Sequence, residues 1–177
     1  MILKELLERS EYTLVQGSED VEISTLVYDS RKIEKGSVFV CISGAVSDGH
    51  TYIEQVAEKG AAAVIVEKDV EAPEGLTVIK VKDTRYALAM TSAAYFGYPA
   101  EKLKVIGITG TKGKTTTTYM VKSILEEVGI RVGLIGTIEA IIGDKSIPAN
   151  NTTPESYTIQ KYFAEMVEAG CECVVME

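Results

Sequence analysis

Apolar residues recur along the chain in two alternating rhythms, one suited to a helix and one to a strand. Ile2, Leu3, Leu6 and Leu7 share one side of a short amphipathic helix within residues 1–9. Residues 21–30 (VEISTLVYDS) read as a strand ending in a polar turn, and residues 36–44 (GSVFVCISG) as a short apolar strand bracketed by glycines. Asp48 is placed to cap a helix from Gly49 to Lys59, where Tyr52, Ile53, Val56 and Ala57 share a face and Gly60 stops the turn. AAAVIVE (61–67) and LTVIKV (76–81) are two further strands separated by the turn APEG. Asp83 or Thr84 then caps a helix through Tyr86, Ala87, Met90 and Ala94, which ends near Gly97-Tyr98-Pro99. Residues 1–100 therefore form a small α/β domain.

A second α/β unit occupies residues 101–177. KVIGIT (104–109) is a strand followed directly by a glycine-rich loop, and the next helix carries Met120, Val121, Ile124, Leu125 and Val128 on one face before Gly129 closes it. IRVGLIGT (130–137) is the next strand. NNTTPES opens a further helix with apolar positions Ile159, Tyr162, Phe163, Met166 and Val167; either Thr152, at capping-box spacing from Glu155, or Thr153 serves as its cap. The chain then enters the strand CVVME. Three core strands are few for a nucleotide-binding parallel sheet, and a strand at the last residue is an unusual finish. The expectation is an N-terminal portion of a longer protein, with a truncated second domain.

Composition narrows the partners. The 177 residues are 46% hydrophobic and 25% charged, as in soluble globular proteins. No apolar run approaches the roughly 20 residues of a membrane span, and the charged start is unlike a signal peptide, so a cytoplasmic location is expected. A net charge of −8 argues against nucleic acid and anionic membranes. Three cysteines, Cys41, Cys171 and Cys173, fit a reducing compartment, and the Cys171-x-Cys173 pair lacks further ligands at zinc spacing.

The loop ITGTKGKTTTT carries the chemistry. The usual phosphate-loop pattern, G-x-x-x-x-G-K-[ST], wants a glycine where Ile108 stands. Gly110 and Gly113 nevertheless let the backbone bend tightly and approach an anion, with N–H groups converging on phosphate oxygens. Lys114 places an ammonium beside the β- and γ-phosphates, Thr115 a hydroxyl for Mg²⁺, and Thr116 a further donor. The preceding strand and following helix supply the context that separates this loop from a glycine-rich turn that binds nothing. Glu177, at the end of a later strand, reads either as a second handle on Mg²⁺ or as an ordinary strand-end carboxylate.

VIGITGTKGKTTT closely resembles the ATP loop of the Mur ligases, in which Gly110 takes the place of the missing glycine; folylpolyglutamate synthases share a version of it. Tyr28-Asp29-Ser30-Arg31 followed by GSVFV is similar to the signature of the Mur ligases' UDP-binding N-terminal domain, and Gly44 through Tyr52 looks like the loop that comes after it. Asn151-Thr152-Thr153-Pro154 and the final VVME resemble elements of the family members that add the third residue of the peptidoglycan stem peptide. The resemblance covers essentially the whole chain.

It implies an ATP- and Mg²⁺-dependent amide ligase, with UDP-MurNAc-dipeptide and a diamino acid (diaminopimelate or lysine) as substrates. It also implies a monomer and a C-terminal amino-acid-binding domain that this sequence does not contain. By motif, Gly110, Thr111, Lys112, Gly113, Lys114, Thr115 and Thr116 would hold ATP, Lys112 through its backbone, with Lys114 catalytic. Thr115 and Glu177 would take Mg²⁺. Tyr28 and Ser30 would contact the UDP moiety, Ala45, Val46 and Ser47 would line a uridine-side loop through backbone groups, and Asn151, Thr152 and Thr153 would hold the muramoyl peptide.

Residues 1–177 alone are expected to be inactive as a ligase. Two other classes remain: a P-loop ATPase or kinase, and a non-catalytic UDP-sugar-binding module. His50, the sole histidine, reads as a surface or capping residue at a helix start.

Overall fold

The computed structural model describes residues 1–44 and 47–177, and the chain divides into two compact units, Met1–Tyr95 and Phe96–Glu177. No helix among the described residues is long and apolar enough to cross a membrane.

The first unit contains helices α1 (Leu3–Leu6), α2 (Ile53–Glu58) and α3 (Thr84–Tyr95) and strands β1 (Thr13–Gln16), β2 (Thr25–Val27), β3 (Ser37–Val40), β4 (Ala63–Val66) and β5 (Thr77–Lys80). The sheet order is β1-β5-β4-β3-β2, with β2 to β5 parallel and β1 antiparallel at one edge. Both faces of β3 and β4 are buried, which is why their sequences are continuous apolar runs. The pleat sends Phe39, Val64, Val66 and Val78 to one face, where Ile53 and Val56 of α2 pack on them. The alternate residues Val38, Val40, Ile65 and Ile79 serve the other face, and α3 lies against β2, β3 and β4.

Four details depart from the sequence pattern or sharpen it. The pattern does not announce β1, because Leu14 and Val15 stay exposed on an edge strand whose apolar signal is short. The expected strand over 21–30 shortens to Thr25–Val27, because Asp29 turns the chain into a 3-10 turn, Ser30–Lys32, by accepting from the Arg31 N–H at 3.0 Å. Asp48 does act as a cap, but it caps a 3-10 turn, Gly49–Tyr52, and α2 begins only after that turn. Asp83, rather than Thr84, caps α3, through the N–H groups of Arg85 and Tyr86.

The second unit contains a 3-10 turn (Pro99–Lys102), strands β6 (Lys104–Gly107), β7 (Val132–Ile135), β8 (Glu139–Ile142), β9 (Lys145–Pro148) and β10 (Cys173–Met176), and helices α4 (Lys114–Glu127) and α5 (Ser156–Glu168). Its order is β6-β10-β7-β8-β9; β6, β10 and β7 run parallel, and β8 and β9 form an antiparallel hairpin beyond them. That hairpin adds two strands to the three expected. Alternate residues of β10 serve opposite faces. Val174 packs with Phe163 and Met166 of α5, while Cys173 and Val175 pack with Val121 and Leu125 of α4. All three cysteines are buried free thiols.

The expected single apolar face of α4 splits in two. Val121 and Leu125 pack toward the sheet and Thr118 is fully buried, whereas Met120, Ile124 and Val128 are 60%, 65% and 69% exposed. Successive helix residues are about 100° apart, so two adjacent rows cannot both be centred on a sheet this narrow. The cap of α5 also differs from both sequence alternatives. Glu155 is the N-cap, its carboxylate accepting from the Ser156 N–H, and Asn151, Thr152 and Thr153 lie ahead of the helix.

Candidate functional site

The parallel strands of the second unit decide where chemistry gathers. Met176 of β10 sits level with Gly107 on one side and Ile135 on the other, so all three strands end together. Residues 108–113, the Gly136-Thr137 pair and Glu177 come after these ends at one edge of the sheet. In open α/β sheets the carboxyl edge is where ligands bind.

Gly113 ends the loop with φ at 78°, a left-handed conformation suited to glycine, and is the N-cap of α4 without a side-chain cap. The first-turn N–H groups of α4 therefore have neither an intrahelical partner nor a capping side chain, which makes an anion site. Lys114 Nζ donates to the Gly110 carbonyl at 2.9 Å, so the ammonium spans the loop it would share with a phosphate. Thr116, Thr111 and Lys112 lie around it, all three exposed. Thr117 and Thr118 are engaged by the helix itself, donating to the carbonyls of Gly113 and Thr115 at 2.8 Å each.

Glu177 is anchored by the β7 end. Its Oε1 accepts from the Thr137 N–H at 3.0 Å and its Oε2 from the Thr137 hydroxyl at 2.9 Å, and the nearby Thr115 hydroxyl favours the charged carboxylate. Burial alone would raise its pKa, but these donors and the Lys114 charge outweigh it and hold the group below the ordinary carboxylate value. Thr115 and Glu177 are brought together as the sequence placed them, and a hydroxyl oxygen beside a carboxylate is a hard-oxygen donor pair suited to Mg²⁺. Among the described residues no group of three or more His, Cys, Asp or Glu gathers to hold a metal. Magnesium here would complete its shell with phosphate oxygens and water.

Two residues of this edge escape a reading of the sequence alone. Gly136 leaves room for the Glu177 carboxylate, since a Cβ there would stand 2.7 Å from Oε1 and force it to shift. Thr137 caps the carboxylate and also reaches Thr152, hydroxyl to hydroxyl, at 3.0 Å. A hydroxyl has one proton, so the Thr137 O–H points to the charged Glu177 and the Thr152 O–H donates to Thr137. Thr153 Oγ1 donates to the Glu177 main-chain oxygen at 3.1 Å. Thr152 is thus tied to Thr137 and Thr153 to the Glu177 main chain, and the exposed Asn151 precedes them. Beside the loop runs a groove of about 820 Å³ lined by Thr115, Thr116, Tyr119, Met120, Ile124 and Ile138.

The first unit has its own pocket, of about 640 Å³, in which Tyr28, Ser30 and Ser47 come together with Phe39, Tyr52 and Gln55. Ala45 and Val46 lie outside the described residues. Asp29 and Arg31 form a bidentate pair at the rim, Nε to Oδ1 at 2.9 Å and Nη2 to Oδ2 at 2.8 Å, and the guanidinium holds the Asp29 carboxyl down to about 2. The pair shapes the turn that presents Ser30, whose carbonyl accepts from Lys59 Nζ at 3.0 Å. Tyr52, half-buried at the pocket, offers aromatic surface of the kind on which a base stacks, while Phe39 lies buried in the core beneath it. In the sequence pattern Tyr52 belongs only to the apolar face of a helix.

Residues 22–107 match the protein-family model described as Mur ligase family, catalytic domain, and residues 108–177 match Mur ligase middle domain. The UDP-N-acetylmuramoyl-L-alanyl-D-glutamate--2,6-diaminopimelate ligase of Clostridium perfringens is 51% identical over 177 residues, all of this chain and 37% of that protein. The chain thus spans little more than a third of the length of this relative. A solved structure of a ligase of the same name shares the fold, with a TM-score of 0.72 at 19% identity over 99% of this chain and 35% of that one. The MurF ligase of Thermotoga maritima, solved with ADP, shares it with a TM-score of 0.53 at 23% identity over 88% of this chain and 31% of that one.

Proposed function

Because the chain belongs to the Mur ligase family, whose domain models together match residues 22–177, we propose that it supplies the two nucleotide sites of a cytoplasmic peptidoglycan-precursor ligase. The first unit would bind the UDP moiety of UDP-MurNAc-L-Ala-D-Glu, and the second would bind ATP with Mg²⁺. The reaction is the ATP-dependent addition of diaminopimelate, the amino acid in the names of the relatives, rather than lysine. The observation that carries this reading is the convergence of Lys114, Thr115, Glu177 and Thr152–Thr153 on one sheet edge. In this reading the edge would bring a phosphate-binding group, metal-binding oxygens and peptide-side hydroxyls to one reacting region.

The chemistry needs such a region. An ionised carboxylate is a poor electrophile, so the γ-carboxylate of D-glutamate must first be phosphorylated by ATP. The amine of the incoming amino acid then attacks the acyl phosphate, a tetrahedral intermediate forms, and phosphate leaves with the C–O electrons. Lys114 and the α4 first-turn N–H groups neutralise charge on the phosphoryl group as it transfers. For this Lys114 Nζ exchanges the Gly110 carbonyl for phosphate oxygens. Magnesium bound at Thr115 and Glu177 would supply Lewis-acid charge at the phosphates. Thr152 and Thr153, fixed to Glu177 and Thr137, orient the acceptor carboxylate. The two pockets call for no second copy of the chain, and a monomer suffices.

Phosphate release from ATP, measured with and without UDP-MurNAc-L-Ala-D-Glu, tests the reading. Residues 1–177 are expected to turn over no ATP without the peptide, and to form no tripeptide product with diaminopimelate present. Sustained hydrolysis indifferent to the peptide would make the chain a plain P-loop ATPase instead.

A further inference from the structure

His50 does not behave as a surface residue. Its side chain is only 6% exposed, and both ring nitrogens are engaged. Nε2 lies 3.1 Å from the Glu67 main-chain N, and an N–H there can only donate, so Nε2 accepts and carries no proton. The ring proton is therefore on Nδ1, which donates to Asp48 Oδ1 at 2.6 Å. This fixes one neutral tautomer from its two partners.

The two ends of the imidazole are tied to different elements. Asp48 belongs to the segment that walls the first unit's pocket. It bridges to Ser43, while the Gly44 N–H donates to the Ser47 carbonyl and the Gly49 N–H to the Ile42 carbonyl, each at 2.9 Å. Gly44, Ser47 and Gly49 all line the pocket, and His50 does not. Glu67 directly follows β4. Its carboxylate accepts from the Ser43 hydroxyl at 2.6 Å and from the Thr84 N–H and hydroxyl at 3.0 and 2.8 Å, and these donors hold it down to about 2. Lys68 Nζ takes the second Asp48 oxygen at 2.5 Å. The fit is tight, since a Cβ at Gly49 would lie 2.7 Å from the Ile42 N.

We propose that His50 is a positioning residue for uridine nucleotide binding. It acts as a neutral strut between Asp48 and the Glu67 main chain that holds the Gly44–Ser47–Gly49 wall in its binding geometry before the ligand arrives. It acts through the wall and touches no ligand itself. The inference rests on the reading of the first unit as the UDP site. Pre-organisation of this kind changes affinity by removing an ordering cost from the binding step. Gln at position 50 places its Oε1 near Nε2 and keeps the bond to Glu67. Asn reaches only Asp48, and Ala reaches neither.

Calorimetric titration of the 177-residue chain with UDP tests this, alongside thermal unfolding of each variant. His50→Asn is expected to bind UDP about tenfold more weakly, the effect of one lost buried hydrogen bond. His50→Ala, which loses both, should bind at least as weakly, and His50→Gln, which keeps the bond to Glu67, should restore most of the affinity. Lys68→Met, at a half-exposed position, is expected to weaken UDP about two- to threefold while folding normally. Adenine-nucleotide affinity should stay constant throughout. A folded His50→Ala that binds UDP as tightly as the parent overturns the proposal. If His50→Ala does not fold, unchanged UDP affinity in Lys68→Met does so. Failure of the parent itself to bind UDP would instead remove the UDP-site reading.

Discussion

Replacing Lys114 with alanine is expected to weaken binding of a magnesium–ATP analogue about a hundredfold, on the order of 3 kcal/mol, by removing a charge partner from a phosphate. Thermal stability should barely change, because the bond given up in the free protein, Lys114 Nζ to the Gly110 carbonyl, is exposed. UDP affinity should hold, since Lys114 belongs to the second unit and the pocket proposed for UDP to the first. Arginine should rescue poorly: its planar fork does not reproduce a point charge on a short reach across this loop. Analogue affinity in Lys114→Ala within about threefold of the parent would mean that the loop's amides hold the phosphates without the lysine.

Gly136→Ala is the second large effect. Its methyl would stand 2.7 Å from Glu177 Oε1, so the carboxylate must shift away from the position in which it accepts both Thr137 bonds. Partners that orient a metal-binding carboxylate are typically worth about 10- to 100-fold in metal affinity. The Mg²⁺ concentration needed for half-maximal nucleotide binding should rise by about that factor, while metal-free nucleotide affinity stays put. Thr137→Val should reproduce part of the rise by deleting the hydroxyl bond, and Thr137→Ser should not. An unchanged Mg²⁺ requirement in Gly136→Ala would show that Glu177 does not serve the ion.

Much of this is legible in the sequence for a physical reason. The apolar runs of β3, β4 and β5 are buried on both faces, and short continuous runs alternating with helices are the pattern of a parallel sheet covered on both sides. The phosphate loop is legible because backbone geometry requires its glycines and its lysine stands at the helix start.

The hidden part depends on residues distant in sequence. His50 looks like a capping residue because Glu67 and Lys68, its network partners, are brought alongside only when β4 pairs with β3. Gly136 and Thr137 look like the tail of a strand, and their role exists only because β10 inserts between β6 and β7 and delivers Glu177 to them. The β8–β9 hairpin does leave a local signal, Gly143-Asp144 between IEAII and KSIP, of the kind that joins two strands in a tight turn. Thr153, a possible helix cap by its position, instead gives its hydroxyl to Glu177, and Glu155 caps α5.

The central claim is that one chain carries two independent nucleotide sites, one in each unit. Titration calorimetry of the 177-residue chain with UDP-MurNAc-L-Ala-D-Glu and, separately, with a non-hydrolysable magnesium–ATP analogue tests it most directly. The account predicts one site for each ligand, with neither displacing the other. Competition of the two ligands for a single site, or no binding of the UDP compound by the folded chain, would contradict it.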